Sequence, residues 1–376
     1  MNSPRVLVAP DKFKGSLDAE GVVAAITAGI ARTRPAARVI PLPMADGGEG
    51  TVKAALTVGF QRVDVEVSGP MSSPVRAHYA RLQDVAVIEM AAASGLSLTR
   101  PDAKSARWAS SFGTGELIAD ALDGGAQTIV LSVGGSASTD GGVGMLAALG
   151  GRFHDTGNDP LWRGGAALTR LGGIDLSGLD PRLADIDLVL ASDVDNPLLG
   201  QAGSAAVYGP QKGADEAIVE ELELGLSRLV NALTRTHPYA RRLAGSPGAG
   251  AAGGVGFAAL LVGARQRPGI EVMLDLTGFR EHLREAALVI TGEGSLDQQS
   301  LRGKVPVGVA AAAAQAGVPT VAIAGQCSLS QPVLREHGIE AGYALTDIEP
   351  DGEVCMRQAS RLIAEIAAGI ALARLN

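Results

Sequence analysis

Short apolar runs alternate along the chain with longer stretches in which apolar side chains recur every three or four residues. The first run, residues 5–9, predicts a strand, and the periodic stretch 18–32 predicts a helix. Residues 38–42 predict a second strand, and residues 51–58 predict a second helix. This strand–helix–strand–helix order is typical of a parallel sheet covered by helices.

The same order returns near the C-terminus. The elements predicted there are a strand at 288–291, a helix at 304–316, strands at 320–324 and 343–346, and a helix at 353–374. Between the two ends, the extended segments 75–82 and 85–90 flank Gln83 and Asp84 as the arms of a hairpin flank their turn. The middle of the chain therefore predicts a separate domain with mixed strand directions.

We accordingly predict an α/β fold with a discontinuous Rossmann-like parallel-sheet domain built from both chain ends, residues 1–65 and 285–376. A second, mixed α/β domain, residues 66–284, is inserted into it. Insertions fall at loops and chain ends commonly lie close together, which favours this arrangement. We expect the active site in the cleft between the two domains.

Composition narrows the classes of function. Apolar residues make up 46% of the chain, enough for sizeable cores, whereas aromatic residues make up 3% and the formal charge is -8. With no basic stripe and few rings to stack on bases, we expect no nucleic-acid partner. The longest apolar stretch, 305–314, is about half the roughly 20 residues that span a bilayer, so we expect no membrane partner either. Two cysteines without a CxxC motif favour a cytoplasmic location.

Two segments share an acid-glycine pattern, and each is predicted to join a strand to a helix. They are DGGEG at 46–50 and DGGVG at 140–144. Glycines let backbone N–H groups approach an anion, so such loops are typical phosphate sites in α/β proteins. The second loop, 132–144, is the stronger candidate because it also holds four hydroxyl side chains. A solvated turn is the alternative for this loop, and a tight turn with a helix cap is the alternative for the first.

Two further glycine motifs do not support a dinucleotide site. The segment TGEGSLD at 291–297 has Asp297 where the fingerprint needs its third glycine, and GAGAAG at 248–253 follows no predicted strand. No GxxxxGK[ST] motif occurs. Glu293 and Asp297 are instead candidate metal or substrate contacts, with a surface loop as the alternative; the 248–253 loop is a candidate hinge or lid.

Several lysines, and the aspartates Asp193 and Asp195, are candidate charged residues of a site. The chain has 26 arginines but six lysines, and Lys12, Lys14 and Lys212 lie in predicted loops, where they suit phosphate contacts or simply solubility. Asp193 follows the predicted strand 187–191, a common place for a catalytic acid, although an Asx turn before a proline explains the segment equally well.

Six segments together resemble, in order, the signature segments of the bacterial type I glycerate kinase family. They are APDKFKGSL at 9–17, ADGGEGT at 45–51, GGSASTDGG at 134–142, SDVDNPL at 192–198, GPQKGA at 209–214 and TGEGSLD at 291–297. The resemblance implies phosphorylation of D-glycerate with ATP and Mg²⁺, at the 2-hydroxyl by preference, giving 2-phosphoglycerate and ADP. Phosphorylation at the 3-hydroxyl stays open.

The resemblance and the chemistry of phosphoryl transfer give each candidate residue an expected role. The expected catalytic residues are Asp193, Lys12 and Lys14. The expected substrate ligands are Asp11, Ser16, Asp46, Glu49, Asn196 and Asp297. The expected ATP ligands are Gly134, Gly135, Ser136, Ser138, Thr139, Gly141, Gly142 and Lys212. The expected metal ligands are Asp140, Asp193 and Glu293.

Two other functions stay open at this stage. A nucleotide-dependent oxidoreductase would use the same architecture, but it needs a GxGxxG motif directly after a strand. A non-catalytic two-domain protein that binds a small acid would need no nucleotide. The sequence leaves monomer and homodimer equally open.

Overall fold

The structure is a computed structural model of the chain that describes residues 3–375. Its strands are β1 (Arg5–Pro10), β2 (Arg38–Pro41), β3 (Gln61–Ser68), β4 (Pro74–Leu82), β5 (Val85–Glu89), β6 (Thr128–Ser132), β7 (Arg152–Asp155), β8 (Leu171–Asp175), β9 (Asp187–Ala191), β10 (Arg265–Arg267), β11 (Ala286–Leu296), β12 (Thr320–Cys327) and β13 (Ala341–Ala344). Its α-helices are α1 (Ala19–Thr33), α2 (Thr51–Thr57), α3 (Ala91–Ser94), α4 (Ala103–Trp108), α5 (Phe112–Asp123), α6 (Val143–Ala148), α7 (Ser204–Tyr208), α8 (Glu216–Leu233), α9 (Ala240–Ala244), α10 (Val255–Leu261), α11 (Gly269–Leu276), α12 (Phe279–His282), α13 (Val305–Gln315), α14 (Gln331–Glu336), α15 (Gly352–Arg357) and α16 (Ala359–Arg374).

The chain forms two compact units. Within the described residues, the first unit comprises 3–46, 53–58 and 268–375, and the second comprises Gly47–Val52 and Gly59–Arg267. These limits differ from the domain boundaries expected at 65 and 285. Strand β3 crosses the first expected boundary but pairs along its whole length with β4, so it lies in the second unit. Helix α11 precedes the second expected boundary but packs into an apolar core of the first unit.

The first unit is built on a five-stranded parallel sheet with the order β13-β12-β11-β1-β2. Successive residues of β1 face opposite sides, because side chains alternate along a strand. Val6 and Val8 pack with apolar residues of α1 and α16, whereas Leu7 packs with those of α11 and α13. The Rossmann-like parallel sheet predicted from both chain ends is confirmed.

Helix α1 shows how local sequence sets an element in this unit. The side chain of Asp18 accepts a hydrogen bond from the N–H of Gly21, which caps the helix at its predicted start. At the other end of the chain, the single helix predicted over 353–374 is two helices, α15 and α16. The chain leaves helical geometry at Gln358, where φ is -112°.

The second unit contains a six-stranded mixed sheet with the order β10-β9-β6-β5-β4-β3. Strands β3, β4 and β5 pair antiparallel, which confirms the predicted hairpin, and β5, β6, β9 and β10 run parallel. Strands β7 and β8 form a separate two-stranded sheet. One apolar core joins the six-stranded sheet to α5, α6, α8 and α10. The mixed α/β character predicted for the inserted domain is therefore confirmed.

Among the helices described within residues 3–375, none combines the length and the apolar character needed to cross a membrane.

Candidate functional site

Three carboxylates lie where parallel strands of the first unit end. Asp11 follows β1, Asp46 lies beyond β2, and Glu293 lies in β11 one residue beyond Gly292, the register partner of Pro10 at the end of β1. From β1 the chain continues to β2 on one side, whereas β12 and β13 follow β11 on the other. Ligands of open α/β sheets bind beside the carboxyl ends of strands at such a reversal.

The three acids, which we call the carboxyl cluster, disfavour one another's charge. Burial and the charge of Asp46 raise the pKa of Asp11 to about 7. Burial also raises the pKa of Glu293; a hydrogen bond with Ser300 and the charge of Lys304 oppose this rise, and the charges of Asp297 and Asp46 add to it. The Oε1 atom of Glu293 is buried and has no hydrogen-bond partner. A buried, unsatisfied carboxylate oxygen among other acids suits a positively charged ligand.

The carboxyl cluster fits magnesium better than it fits a metal held by protein side chains alone. Within residues 3–375, no three His, Cys, Asp or Glu side chains converge closely enough to ligate a single ion. Mg²⁺ is commonly bound by one or two carboxylates, with waters and phosphate oxygens completing its shell. The unsatisfied oxygen of Glu293 and a neighbouring carboxylate fit that mode.

The loop after β1 lies beside β11. The N–H of Asp11 donates to the carbonyl of Gly292 over 2.8 Å. A Cβ atom built on Gly294 would lie 3.3 Å from the backbone nitrogen of Lys14, so the two segments are in close contact. Lys14 is exposed and Lys12 is half-buried in this loop. Both lysines are therefore placed beside the edge of the sheet that carries the carboxyl cluster.

Two expected substrate ligands in the first unit make hydrogen bonds within that unit. The hydroxyl of Ser16 donates to the carbonyl of Met356 over 2.7 Å. One oxygen of Asp297 accepts hydrogen bonds from the N–H groups of Gln299 and Ser300. These contacts give both side chains a structural role, and we do not carry them into the proposed site.

The surface loop that the sequence left open for residues 291–297 is mostly a strand in the structure. Residues 291–296 continue β11, because Gly292 and Glu293 pair with Ile323 and Ala324 of β12. Glu293 is thus held on a strand in the middle of the sheet. This rigid placement explains how its carboxylate stays buried.

In the second unit, three neighbouring parallel strands end in register. Glu89 of β5 pairs with Ser132 of β6, and Ser132 pairs with Ala191 of β9. Gly134 and Asp193 each follow their strand by two residues, so both lie beyond the same sheet edge. Asp193 is exposed there, and Gly135 is the exposed residue of the second acid-glycine loop.

The two acid-glycine loops of the sequence contact each other in this unit. The hydroxyl of Ser132 donates to the carbonyl of Gly47 and, over 3.2 Å, to that of Gly48. A Cβ atom on Gly134 would lie 2.9 Å from the Cα atom of Gly48. The backbones therefore meet with no room for a side chain at position 134.

Sequence reasoning missed one residue that contacts the first loop. The Oε1 atom of Glu89 accepts hydrogen bonds from the N–H groups of Gly50 and Val52, over 3.0 and 2.8 Å. The available signal was an acid at the end of a predicted apolar strand, the same signal that identified Asp193.

The later half of the second loop is buried, and this bears on the expected role of Asp140 as a metal ligand. Its carboxylate accepts hydrogen bonds from the N–H and hydroxyl of Ser111, and from the N–H groups of Gly142 and Gly144. Burial raises the pKa of Asp140, and the bonds from Ser111, Gly142 and Gly144 oppose that rise. Asp140 joins the starts of two helices, α5 and α6, and its carboxylate is fully engaged there. We do not retain it as a metal ligand.

The expected ATP ligands near Asp140 are also enclosed. Gly141 and Gly142 lie close to Leu229 and Ala258, and the N–H of Gly142 donates to the carboxylate of Asp140. Ser138 and Thr139 are buried. The N–H of Gly141 donates to the carbonyl of Gly253, so the 248–253 segment packs against this loop.

Lys212 supports the same loop from inside the unit. It is 1% exposed, and its ammonium group donates to the carbonyl of Ser138 over 2.6 Å and to the hydroxyl of Thr139 over 3.4 Å. Burial lowers the pKa of Lys212 to about 7, although the charge of Asp140 opposes the change. This arrangement encloses Lys212 beneath the loop, with its ammonium group bonded to the loop itself.

Asn196 is engaged within its own segment. Its amide donates to the carbonyl of Ala202 over 2.8 Å, and its Oδ1 atom accepts the hydroxyl hydrogen of Tyr208 over 2.7 Å. These bonds fix the turn that follows Asp193 and Asp195, both of which are exposed. Asn196 therefore stabilises the turn, and the exposed Asp193 is the better candidate of the two to contact a substrate.

Comparison with known proteins relates almost the whole chain to one family. Residues 6–374 match the model of the glycerate kinase family. A glycerate kinase of Halalkalibacterium halodurans is 43% identical over 98% of this chain and 97% of its own. A glycerate 2-kinase of Escherichia coli K12 is 43% identical over 91% of this chain and 90% of its own. The crystal structure of a protein assigned as glycerate kinase 2 from Salmonella typhimurium LT2 superposes with a TM-score of 0.87 at 40% identity, covering 99% of this chain and 98% of that one.

Proposed function

We propose that this chain, which belongs to the glycerate kinase family, transfers the γ-phosphoryl group of ATP to the 2-hydroxyl of D-glycerate. The observation that carries the proposal is the family match over residues 6–374. The similarity to a relative named glycerate 2-kinase favours the 2-hydroxyl over the 3-hydroxyl. We place the reaction in the cytoplasm.

The phosphates of ATP bind the accessible start of the second acid-glycine loop in this proposal. Gly134 is half-buried, Gly135 is exposed, and Ser136 is 8% exposed, whereas the residues from Ser138 onward are enclosed. The N–H groups and hydroxyl of this short segment suit phosphate oxygens, which bind well to backbone donors in glycine-rich turns. The enclosed residues Ser138, Thr139, Gly141, Gly142 and Lys212 hold the segment in place.

Magnesium binds the carboxyl cluster in this proposal, with Glu293 and Asp11 or Asp46 as its protein ligands. The support is the unsatisfied Oε1 atom of Glu293, together with the burial and the repulsion by Asp46 that raise the pKa of Asp11. When bound, Mg²⁺ neutralises phosphate charge and orients the phosphoryl group.

Asp193 accepts the proton of the attacking hydroxyl. The glycerate oxygen forms a bond to the γ-phosphorus, the bond from that phosphorus to the bridging oxygen of ADP breaks, and the hydroxyl proton passes to the carboxylate. Lys12 and Lys14 offset negative charge on the phosphoryl group and on the carboxylate of glycerate. Glu49, exposed in the first acid-glycine loop, contacts the hydroxyls of glycerate.

Phosphorus NMR of the products tests the proposal. The purified protein is incubated with ATP, Mg²⁺ and D-glycerate, and the spectrum is compared with standards of both phosphoglycerates. We expect ADP and 2-phosphoglycerate to appear in equal amounts. Parallel reactions lacking glycerate or containing Asp193→Asn protein identify product that depends on the acceptor and on the proposed base.

Each other outcome has a defined meaning. A signal of 3-phosphoglycerate would keep the kinase and overturn the choice of hydroxyl. Unchanged ATP and glycerate would overturn the kinase proposal and favour a protein that binds a small acid without chemistry. ADP formed without glycerate would overturn glycerate as the acceptor.

A further inference from the structure

Glu89 fills a position that an anion would otherwise occupy at the start of α2. Its Oε1 atom accepts hydrogen bonds from the N–H groups of Gly50 and Val52. The first N–H groups of a helix have no partner within the helix and carry partial positive charge. Because the protein's own carboxylate uses these donors, a phosphate at this helix start would meet a like charge.

The same loop is attached to the neighbouring strand. Ser132 donates its hydroxyl hydrogen to the carbonyls of Gly47 and Gly48. Glu89 and Ser132 are register partners at the ends of β5 and β6. The segment Gly47–Val52 is therefore fixed at both its ends to two adjacent strands, one through its carbonyls and the other through its N–H groups.

This attachment determines the surroundings of Gly134. Gly48 lies against Gly134 with no space for a side chain between them. A displacement of the first loop therefore moves one wall of the segment 134–136. Through its bonds to the N–H groups of Gly50 and Val52, Glu89 holds this loop and so acts on the segment by way of the loop.

We propose that Glu89 is a positioning residue, which holds the first acid-glycine loop against Gly134 and so shapes the site for the phosphates of ATP. The inference rests on the proposed function in one respect, namely that residues 134–136 bind those phosphates. It changes the interpretation of the first loop, whose helix start serves as an attachment for Glu89 and not as a second phosphate site.

The test compares Glu89→Ala, Glu89→Gln and the control Glu66→Ala, which removes an exposed acid from β3. Amide hydrogen exchange of Gly50 and Val52 reports the attachment without any substrate. The Kd of a non-hydrolysable ATP analogue reports the phosphate site without turnover. The KM for ATP and the KM for glycerate then separate the effects on the two substrates.

We expect Glu89→Ala to lose protection at Gly50 and Val52 and to raise the Kd of the analogue and the KM for ATP about tenfold or more, because hydrogen bonds to a charged group are stronger than those to a neutral one. Glu89→Gln keeps an acceptor oxygen, so we expect it to restore protection and most of the affinity. The KM for glycerate changes less, and Glu66→Ala behaves as the parent.

Lost protection with an unchanged Kd for the analogue would overturn the positioning role. Unchanged protection in Glu89→Ala would overturn the attachment itself. If Glu89→Ala does not fold, Ser132→Ala carries the test, because it removes the other attachment of the same loop, and a parent-like Kd of the analogue in that variant would overturn the proposal. A parent protein that binds the analogue but does not phosphorylate glycerate would instead refute the proposed function and leave the Glu89 measurements decisive.

Discussion

A Cβ atom added to Gly134 would lie 2.9 Å from the Cα atom of Gly48. This contact joins the backbones of two loops that share an acid-glycine pattern but lie far apart in the sequence. Since the neighbouring atom belongs to the backbone, no side-chain rotation can relieve the crowding. The glycine at 134 is thus required by the neighbouring loop.

We predict that Gly134→Ala displaces one of the two loops. Kinase kcat/KM for ATP should fall at least tenfold, and overpacking should cost about 1–3 kcal/mol of stability. Steady-state kinetics and a thermal unfolding scan measure the two effects. The control is Gly369→Ala in α16, where a Cβ atom would meet nothing within 4 Å, so activity should be unchanged and stability equal or higher. Equal activity of the two variants would contradict the prediction.

The fold was largely predictable because its signals are local. The strands at 5–9, 38–42 and 320–324 are apolar runs followed by glycine, proline or polar residues, and the structure has strands at each. The extension of β11 through Glu293 was not predictable in this way. The glycines and the acid at 292–294 predict a loop from the sequence alone, but hydrogen bonding to β12 makes this segment a strand.

The site was less predictable because its contacts join distant residues. Asp140 has the sequence context of a metal ligand, yet its partner Ser111 lies 29 positions away and no local signal connects them. Glu89 contacts a loop 37 to 39 positions earlier in the chain. Sequence reasoning found Asp11, Asp46 and Glu293 individually, and it could not tell that their charges interact.

We predict that Asp193→Asn lowers the turnover number by about 10²–10⁴, the usual contribution of a general base. Asparagine keeps the size of the side chain but cannot accept the hydroxyl proton. The matched control is Asp195→Asn, which neutralises an exposed acid two residues along the same segment. Turnover should stay within a few-fold of the parent in this control. A small effect in Asp193→Asn, or an equal loss in both variants, would refute the base role.

Asp11→Asn should stabilise the protein at neutral pH. The pKa of Asp11 is raised on folding from 3.8 to about 7, so between these values the folded state binds more protons than the unfolded state. The stability of the parent therefore falls as pH rises through this window. Removing the acid gains at most about 4 kcal/mol above pH 7 and little near pH 4.

Thermal unfolding midpoints at pH 4.5 and pH 8 check this prediction for Asp11→Asn and its parent. Addition of Mg²⁺ at pH 8 should narrow the difference between them, because a cation at the carboxyl cluster relieves repulsion only where the charge is present. An equal rise in the unfolding midpoint at both pH values would mean that the charge of Asp11 does not destabilise the folded protein.

Lys212→Met should show the opposite dependence on pH. The pKa of Lys212 falls on folding from 10.5 to about 7, so between these values the unfolded state binds more protons and the stability of the parent rises with pH. Below pH 7 the parent carries the full cost of a buried ammonium group, and the variant does not. The variant also leaves the carbonyl of Ser138 without its lysine donor, a cost that does not depend on pH. We therefore expect Lys212→Met to become steadily less stable relative to the parent from pH 7 to pH 10, as measured by unfolding midpoints.

Lys104→Met, which removes an exposed lysine from α4, controls for the loss of one positive charge. A stability difference that stays constant over this range would show that Lys212 remains protonated, and then its bonds to Ser138 and Thr139 would outweigh burial.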